Sequence, residues 1–165
     1  MNRHYTKEQY LEIIEKAKKE VPDIAFSTDL MIGFPGETEE DLLDTIDVVE
    51  KVRYDSAFTF IYSKRKGTPA AEMENQIPED VKHERFNRVL SKVNEIVGEI
   101  NQSYIGKTVE VLVEGKSKTD DNRFMGRTRQ NKLVNFDAKS EDLIGKLINV
   151  NITSATGFSL IGKEI

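Results

Sequence analysis

The chain has 165 residues, of which 38% are hydrophobic and 32% charged, and its formal net charge at pH 7 is −5. This composition suits a globular protein with one ordinary domain or two small ones, and no apolar run approaches the length needed to span a membrane. The absence of cysteine excludes disulfides, a thiol nucleophile and cysteine-ligated metal clusters within the chain. We expect a cytoplasmic protein.

The first part of the chain predicts a helix followed by a strand. Thr6 and Gln9 form a capping-box pair ahead of a helix at about residues 7–20. The predicted apolar face of this helix carries Tyr10, Ile13, Ile14 and Ala17. The segment IAFSTDLMIGF that follows is largely apolar without clean alternation, which is typical of a strand buried on both faces.

Residues 33–41 read GFPGETEED and come directly after the predicted strand. Pro35-Gly36 is a turn dipeptide, and Thr38 with Asp41 resembles a capping box for a helix at about residues 39–53. As a phosphate-binding loop the segment is poor, because the Gly-Lys-Ser/Thr ending of a P-loop is absent. Local chemistry therefore favours a turn that starts a helix over a ligand-binding loop.

A second strand, SAFTFIYS at residues 56–63, completes a βαβ pattern that implies parallel strands. A polar loop (KRKGTPAAEMENQIPED) and a helix at about residues 79–102 follow. Lys64, Arg65 and Lys66 come after the carboxyl end of the strand, where α/β barrels bind ligands. They are candidates to hold an anionic substrate, and the alternative is an ordinary charged loop.

Two parallel strands by themselves leave sheet edges and apolar faces uncovered. Either strands are exchanged between chains, or this chain is a segment of a larger protein. We favour the second explanation.

From Tyr104 onward the pattern is that of an all-β domain. Five short predicted strands lie in TVEVLVEG, RFMGRTR, KLVNF, GKLINVNITSA and FSLIGKEI. Five strands in about 60 residues, separated by turn residues, predict a small OB-like barrel. The predicted fold class is thus α/β over residues 1–102 plus all-β over residues 103–165.

The charge is distributed unevenly, with −7 over residues 1–100 and +2 over residues 101–165. The basic residues concentrated in residues 115–135 are Lys116, Lys118, Arg123, Arg127, Arg129 and Lys132. They interleave with Phe124 and Phe136, and small barrels bind oligonucleotides through such surfaces. The alternative is a solvated charged face.

In sequence order, several stretches resemble the C-terminal part of the radical-SAM methylthiotransferases. These are MNRHYTKEQYLEII, STDLMIGFPGETEEDL, DSAFTFIYSKRKGTPAA and the final barrel, which is similar to a TRAM domain. Within the family, GRTRQNKLVNF looks most like the MiaB-type tRNA enzymes, which add a 2-methylthio group to isopentenyl-adenosine beside the anticodon. The alternatives are sister enzymes acting on threonylcarbamoyl-adenosine in tRNA or on a ribosomal-protein aspartate, and a non-catalytic RNA-binding module.

The resemblance implies a partial radical-SAM (β/α) barrel with a linking helix over residues 1–102, and a TRAM barrel over residues 103–165. It also implies S-adenosylmethionine and two [4Fe-4S] clusters in the parent enzyme. The cluster-binding CxxxCxxC segment is absent from this chain. We therefore expect N-terminal domains of the parent to be missing, no cluster and no catalytic residue here, and no turnover by the chain alone.

Site residues follow from the same resemblance. The S-adenosylmethionine pocket would be lined by Gly33, Phe34, Pro35, Gly36 and Glu37, with the backbone of Phe60, Ile61 and Tyr62 near adenine. The TRAM barrel would bind the tRNA anticodon stem-loop, with the six basic residues named above as phosphate contacts. Phe124 is the candidate for stacking on a base, and Phe136 is expected in the core.

Overall fold

The computed structural model describes residues 3–117, 120, 123–138 and 142–165. The chain divides into two compact units, Met1–Ile96 and Val97–Ile165. This division lies inside the long helix that begins at Glu79, whereas the sequence placed a domain boundary between residues 102 and 103. Within the described part of the chain, no helix is both long and apolar enough to cross a membrane.

The first unit contains the predicted βαβ unit. Its elements are α1 (Lys7–Glu20), β1 (Ser27–Ile32), α2 (Glu39–Val52), β2 (Ser56–Ile61), α3 (Pro69–Glu72) and the first part of α4 (Glu79–Gln102). β1 and β2 pair in parallel, from Ser27 with Ser56 to Ile32 with Ile61, as expected. The short helix α3 is a correction, since it interrupts the predicted polar loop. Pro69 at its start suits a first helical turn.

Both predicted capping boxes are present. The Thr6 side chain accepts the N–H of Gln9 while the Gln9 side chain accepts the N–H of Thr6, and Thr38 and Asp41 exchange the same two bonds. These bonds satisfy N–H groups that a first helical turn leaves without partners. They fix where α1 and α2 begin.

One face of the β1–β2 sheet is open to solvent. Side chains alternate along both strands, and Met31, Phe58 and Phe60 on the open face are between 42% and 63% exposed. The prediction that β1 is buried on both faces is therefore wrong, because alternate side chains project to a face left uncovered by the described elements. Ile13 of α1 is exposed as well, and its neighbour Ile14 is the buried residue.

The second unit is a closed barrel of five strands, which confirms the predicted fold. The strands are β3 (Thr108–Lys116), β4 (Phe124–Thr128), β5 (Leu133–Asp137), β6 (Leu147–Ala155) and β7 (Leu160–Glu164). Around the barrel the order is β3-β4-β5-β7-β6, with β5 and β7 parallel and the other neighbours antiparallel. Its core includes Val111, Val113, Phe124, Val134, Phe136, Val150, Ile152 and Leu160.

The strand directions define two ends of this barrel. Residues 129–132 join β4 to β5 and residues 156–159 join β6 to β7, and the pairing of Val134 with Leu160 places these two turns side by side. Residues 103–107, which connect α4 to the start of β3, lie at the same end of the barrel. We therefore call it the helix end. At the opposite end, which we call the far end, β3 and β5 finish and β4 and β6 begin.

Candidate cofactor wall and nucleic-acid interface

The GFPGE segment forms a compact turn between β1 and α2. Gly33 and Gly36 have φ values of +78° and +83°, in the left-handed region that favours glycine. A Cβ atom at Gly33 would lie 2.5 Å from Cγ of Lys82, and one at Gly36 would collide with the Asn75 side chain. The segment is therefore a tightly packed turn with little room for larger residues.

Three backbone donors of this turn, those of Gly33, Gly36 and Glu37, are used within the chain. The N–H of Gly33 donates to Oε2 of Glu37 at 2.8 Å, and the N–H of Gly36 donates to the carbonyl of Asn75 at 2.9 Å. The N–H of Glu37 donates to the carbonyl of Phe34 at 2.9 Å. The turn therefore offers a shaped wall, in contrast to the free N–H groups with which a phosphate loop holds an anion.

Glu37 is held by Arg85 of α4. The Arg85 guanidinium donates to Oε1 of Glu37 at 3.0 Å and to its carbonyl at 2.9 Å. Both side chains are 11% exposed, so this pair is largely shielded from water. The carboxylate of Glu37 thus braces the turn from inside.

Lys82 connects α4 to the end of β2. Its Nζ donates to the carbonyl of Tyr62 at 3.3 Å and to Oε1 of Glu79 at 2.7 Å, and the Lys82 side chain is buried. Sequence analysis missed both Lys82 and Arg85. A signal was available, because both fall on the helical stripe that continues through Val89, Val93 and Ile96.

A cleft of about 630 Å³ lies where β2 ends. It is lined by Ile61, Tyr62, Ser63, Lys64, Gln76, Ile77, Pro78, Glu79, Lys82 and His83. The Tyr62 N–H donates to the carbonyl of Ile32 at 2.8 Å, and the rings of Phe34 and Tyr62 meet edge to face at 5.4 Å. The structure thus brings Ile61, Tyr62 and Lys64 to the cleft. Phe60 lies on the open sheet face, and Arg65 and Lys66 are exposed outside the cleft lining.

A larger cleft, of about 690 Å³, lies beside α1 and β1. It contains Asp29, which the sequence placed in a predicted strand, together with Tyr10 and Tyr54, whose hydroxyls are 2.7 Å apart. Burial, followed by the hydrogen bond with Tyr10, raises the pKa of Tyr54 well above its usual range. Tyr54 therefore stays protonated at alkaline pH values at which an ordinary tyrosine ionises.

The predicted RNA-binding residues divide between the two ends of the barrel. At the far end, Arg123 contacts Asp137 at 3.0 Å and Asp120 at 3.5 Å, and the Lys116 amine lies 4.2 Å from the centre of the Phe124 ring. Lys118 lies outside the described residues. The basic side chains at this end are therefore paired with acids or held over a ring wherever the contacts are known.

At the helix end, Arg127 donates to the carbonyl of Asn131 at 3.0 Å and lies 3.6 Å from Glu114. Arg129 contacts Glu110 at 2.9 Å, although its side chain remains 79% exposed. Lys132 is buried, which places it wrongly for the predicted phosphate contact. Arg127 and Arg129 are thus the predicted basic residues that the helix end presents.

Phe124 was predicted to stack on a base, and that prediction is wrong. It is paired with Phe136 on the neighbouring strand β5, the two rings stack at 6.2 Å, and Phe124 is only 3% exposed. Phe136 is fully buried, as predicted. Alternation along β4 directs Phe124 inward and Arg127 outward, because they are three residues apart.

The cofactors implied by the resemblance fit this chain unequally. The chain has no cysteine thiolate for an iron–sulfur cluster, and its described residues contain no group of three or more metal-binding side chains. The cleft at the end of β2 is a better match for an organic cofactor. The Tyr62 hydroxyl there is buried and has no hydrogen-bond partner in the described ranges, so a polar ligand group would satisfy it.

Comparison with known proteins adds two domain assignments. Residues 102–165 match the TRAM domain, and residues 1–49 match the radical SAM superfamily. Three similar proteins are each called tRNA-2-methylthio-N(6)-dimethylallyladenosine synthase. That of Clostridioides difficile is 77% identical over 98% of this chain, that of Alkaliphilus oremlandii 64% over 100%, and that of Acetivibrio thermocellus 60% over 100%.

The match covers only part of each relative. The chain spans 34% of the C. difficile and A. thermocellus proteins and 35% of the A. oremlandii protein, in their C-terminal part. The order of domains, a radical SAM segment followed by a TRAM barrel, agrees with the two units of the structure. The chain thus combines a match to the radical SAM superfamily with a TRAM domain, and over 98% or more of its length it is similar to the C-terminal part of proteins named as tRNA methylthiotransferases.

Proposed function

We propose that this chain is the C-terminal part of an enzyme that adds a 2-methylthio group to isopentenyl-adenosine beside the anticodon of tRNA. The observation that carries the proposal is 77% identity, over 98% of the chain, to a protein named for that reaction. Because tRNA is the proposed substrate, the proposed location is the cytoplasm. Threonylcarbamoyl-adenosine in tRNA and a ribosomal-protein aspartate are the competing substrates.

S-Adenosylmethionine and two [4Fe-4S] clusters would supply the radical chemistry that activates an unreactive carbon for the insertion of sulfur. The cluster thiolates would come from other parts of the parent protein. The role of this chain in the reaction is positional. The turn at residues 33–37, braced by Glu37 and Arg85, would form one wall of the S-adenosylmethionine pocket through backbone and apolar contacts.

The end of β2 would provide the adjoining side of the pocket. Phe60, Ile61 and Tyr62 would lie near the adenine, with Lys82 holding the Tyr62 carbonyl in place. Lys64, Arg65 and Lys66 would attract the anionic RNA from the same loop. In the full-length enzyme, Glu37→Gln should raise the KM for S-adenosylmethionine. It should leave tRNA affinity unchanged, because Glu37 belongs to the proposed cofactor wall and is not one of the proposed RNA-binding residues.

The second unit would bind the tRNA anticodon stem-loop. Its match to the TRAM domain and the tRNA named by its relatives support this role. The isolated chain would bind RNA without turnover. The rival function is that of a non-catalytic RNA-binding module, in which the chain would bind tRNA without any binding of S-adenosylmethionine.

Nucleoside analysis tests the proposed reaction. The full-length gene is expressed in a strain that lacks tRNA methylthiolation, and digested tRNA is analysed by mass spectrometry. Appearance of 2-methylthio-isopentenyl-adenosine is the expected result. Methylthiolated threonylcarbamoyl-adenosine, a modified ribosomal-protein aspartate, or no methylthiolation at all would each assign the protein to one of the rival functions.

A further inference from the structure

The turn between β6 and β7 holds an aromatic ring outside the barrel. Phe158 is 86% exposed, the largest exposure among the large apolar side chains of the described residues. Single exposed apolar residues are common on protein surfaces, so exposure by itself assigns no role. The construction of the turn and the charges around it distinguish Phe158 from such residues.

The turn is held by a dense set of hydrogen bonds. Oγ1 of Thr156 accepts the N–H groups of Phe158 at 3.2 Å and Ser159 at 3.0 Å, and the N–H of Thr156 donates to the carbonyl of Ser159 at 2.8 Å. From the end of α4, Nδ2 of Asn101 donates to the carbonyl of Thr156 at 3.0 Å. The backbone that carries the ring is therefore fixed, which lowers the entropy that a binding partner must overcome.

Phe158 lies at the helix end, where exposed basic groups are also found. The adjacent β4–β5 turn carries Arg129, whose side chain is 79% exposed. Lys107 lies directly before the start of β3, at the same end of the barrel. Arg129 contacts Glu110 at 2.9 Å and still keeps its exposure, whereas at the far end Arg123 contacts two carboxylates and is only 34% exposed. An aromatic ring beside exposed cations is the pattern that binds unpaired nucleotides, by stacking on bases and attracting phosphates.

We propose that Phe158 is the stacking platform for an unpaired base of the bound tRNA, and that the helix end is the RNA-binding face of the barrel. The proposal rests on the tRNA binding proposed above and gives it a location. It moves the stacking role from the buried Phe124 to Phe158. Stacking tolerates any base, so Phe158 adds affinity for a single-stranded loop without reading its sequence.

Fluorescence anisotropy of the chain with a labelled anticodon stem-loop is the first test. Phe158→Ala should weaken binding by about five-fold or more, because base–aromatic stacking is lost, whereas Phe158→Tyr should retain binding. Leu147→Ala is the matched control, since Leu147 is 61% exposed at the opposite end of β6. It lies about 26 Å along the strand from Ala155, at roughly 3.3 Å per residue, and its replacement should leave affinity unchanged.

A fluorescent reporter separates stacking from a general loss of affinity. The chain has no tryptophan, so Phe158→Trp introduces a single indole that can be excited selectively over the tyrosines. Its fluorescence should be quenched on addition of the stem-loop, and that of a Leu147→Trp variant should not. Thermal unfolding of each variant checks that the barrel is intact.

The outcomes distinguish the two proposals. If the wild-type chain does not bind the stem-loop at low salt, the proposed RNA-binding role fails, and this inference fails with it. If the wild-type chain binds and Phe158→Ala binds equally well, only the inference is overturned. The inference would also be overturned if the fluorescence of the Phe158→Trp variant changed with protein concentration and not with added RNA. That result would indicate that the ring contacts another protein chain.

Discussion

The guanidinium of Arg85 lies 3.0 Å from the carboxylate of Glu37, and both side chains are almost completely removed from solvent. These two residues are 48 positions apart in the chain. Glu37 also accepts the N–H of Gly33, so the pair ties α4 to the turn that follows β1. The geometry of the proposed cofactor wall therefore depends on a side chain from α4 that the motif itself does not include.

Removal of Arg85 should destabilise the first unit. Arg85→Ala leaves Glu37 as a shielded carboxylate without its partner, at a cost of about 3 kcal/mol. Arg88→Ala is the control, because Arg88 pairs with Glu39 at a more exposed position and should cost less than about 1 kcal/mol. Urea unfolding followed by circular dichroism measures both values. Equal losses of unfolding free energy would show that the shielded Arg85–Glu37 pair stabilises the chain no more than the exposed Arg88–Glu39 pair does.

Gly33 should not tolerate a side chain. Gly33→Ala forces an alanine to φ +78°, at about 1 kcal/mol or more, and brings its Cβ against the buried stem of Lys82. Gly98→Ala is a matched change in α4, where no atom lies within 4 Å of the added Cβ and stability should rise by up to about 1 kcal/mol. Thermal midpoints that move in opposite directions are expected. A shared direction would contradict the close approach of Lys82 and Gly33.

The capping box of α2 predicts a pH dependence. The backbone N–H of Thr38, and then its hydroxyl, lower the pKa of Asp41. The stabilisation is therefore fully present above the unfolded pKa of about 3.9 and is lost as the pH falls through the lower folded value. The difference in unfolding free energy between the wild-type chain and Asp41→Ala should be largest at neutral pH and shrink in acid. A constant difference would rule out the carboxylate as its source.

The rings of Phe124 and Phe158 should contribute very differently to stability, because Phe124 is buried and Phe158 is exposed. Phe124→Ala removes a core ring and should cost about 3 kcal/mol or more. Phe158→Ala removes an exposed ring and should change stability by less than about 0.5 kcal/mol. Denaturant unfolding of the two variants gives the comparison directly. A large loss for Phe158→Ala would mean that the ring packs against the barrel.

Local signals in the sequence predicted much of the fold. Thr6 with Gln9 and Thr38 with Asp41 act within one helical turn, so their pattern is sufficient to locate α1 and α2. The five strands of the barrel were predicted from alternation and turn residues. Phe124 was misjudged because the direction of its side chain depends on the register with Phe136, which the sequence does not specify.

Long-range contacts account for the other differences. The pairing of Arg85 with Glu37 and of Lys82 with the Tyr62 carbonyl depends on how α4 packs, and no local motif contains that information. The exposure of Phe158 follows from the tight turn that Thr156 organises and α4 supports. The segment FSLIGKEI by itself marks Phe158 only as the start of a strand.

Binding of this chain to a tRNA anticodon stem-loop across a salt series tests the central claim most directly. We predict affinity that falls steeply with salt, because phosphate contacts release counterions. An Arg127→Ala/Arg129→Ala variant should bind more weakly with a shallower salt slope, and Arg123→Ala, at the far end, should resemble the wild-type chain. No binding at low salt, or binding that the double substitution leaves unchanged, would contradict the assignment of the helix end as the RNA-binding face of the barrel.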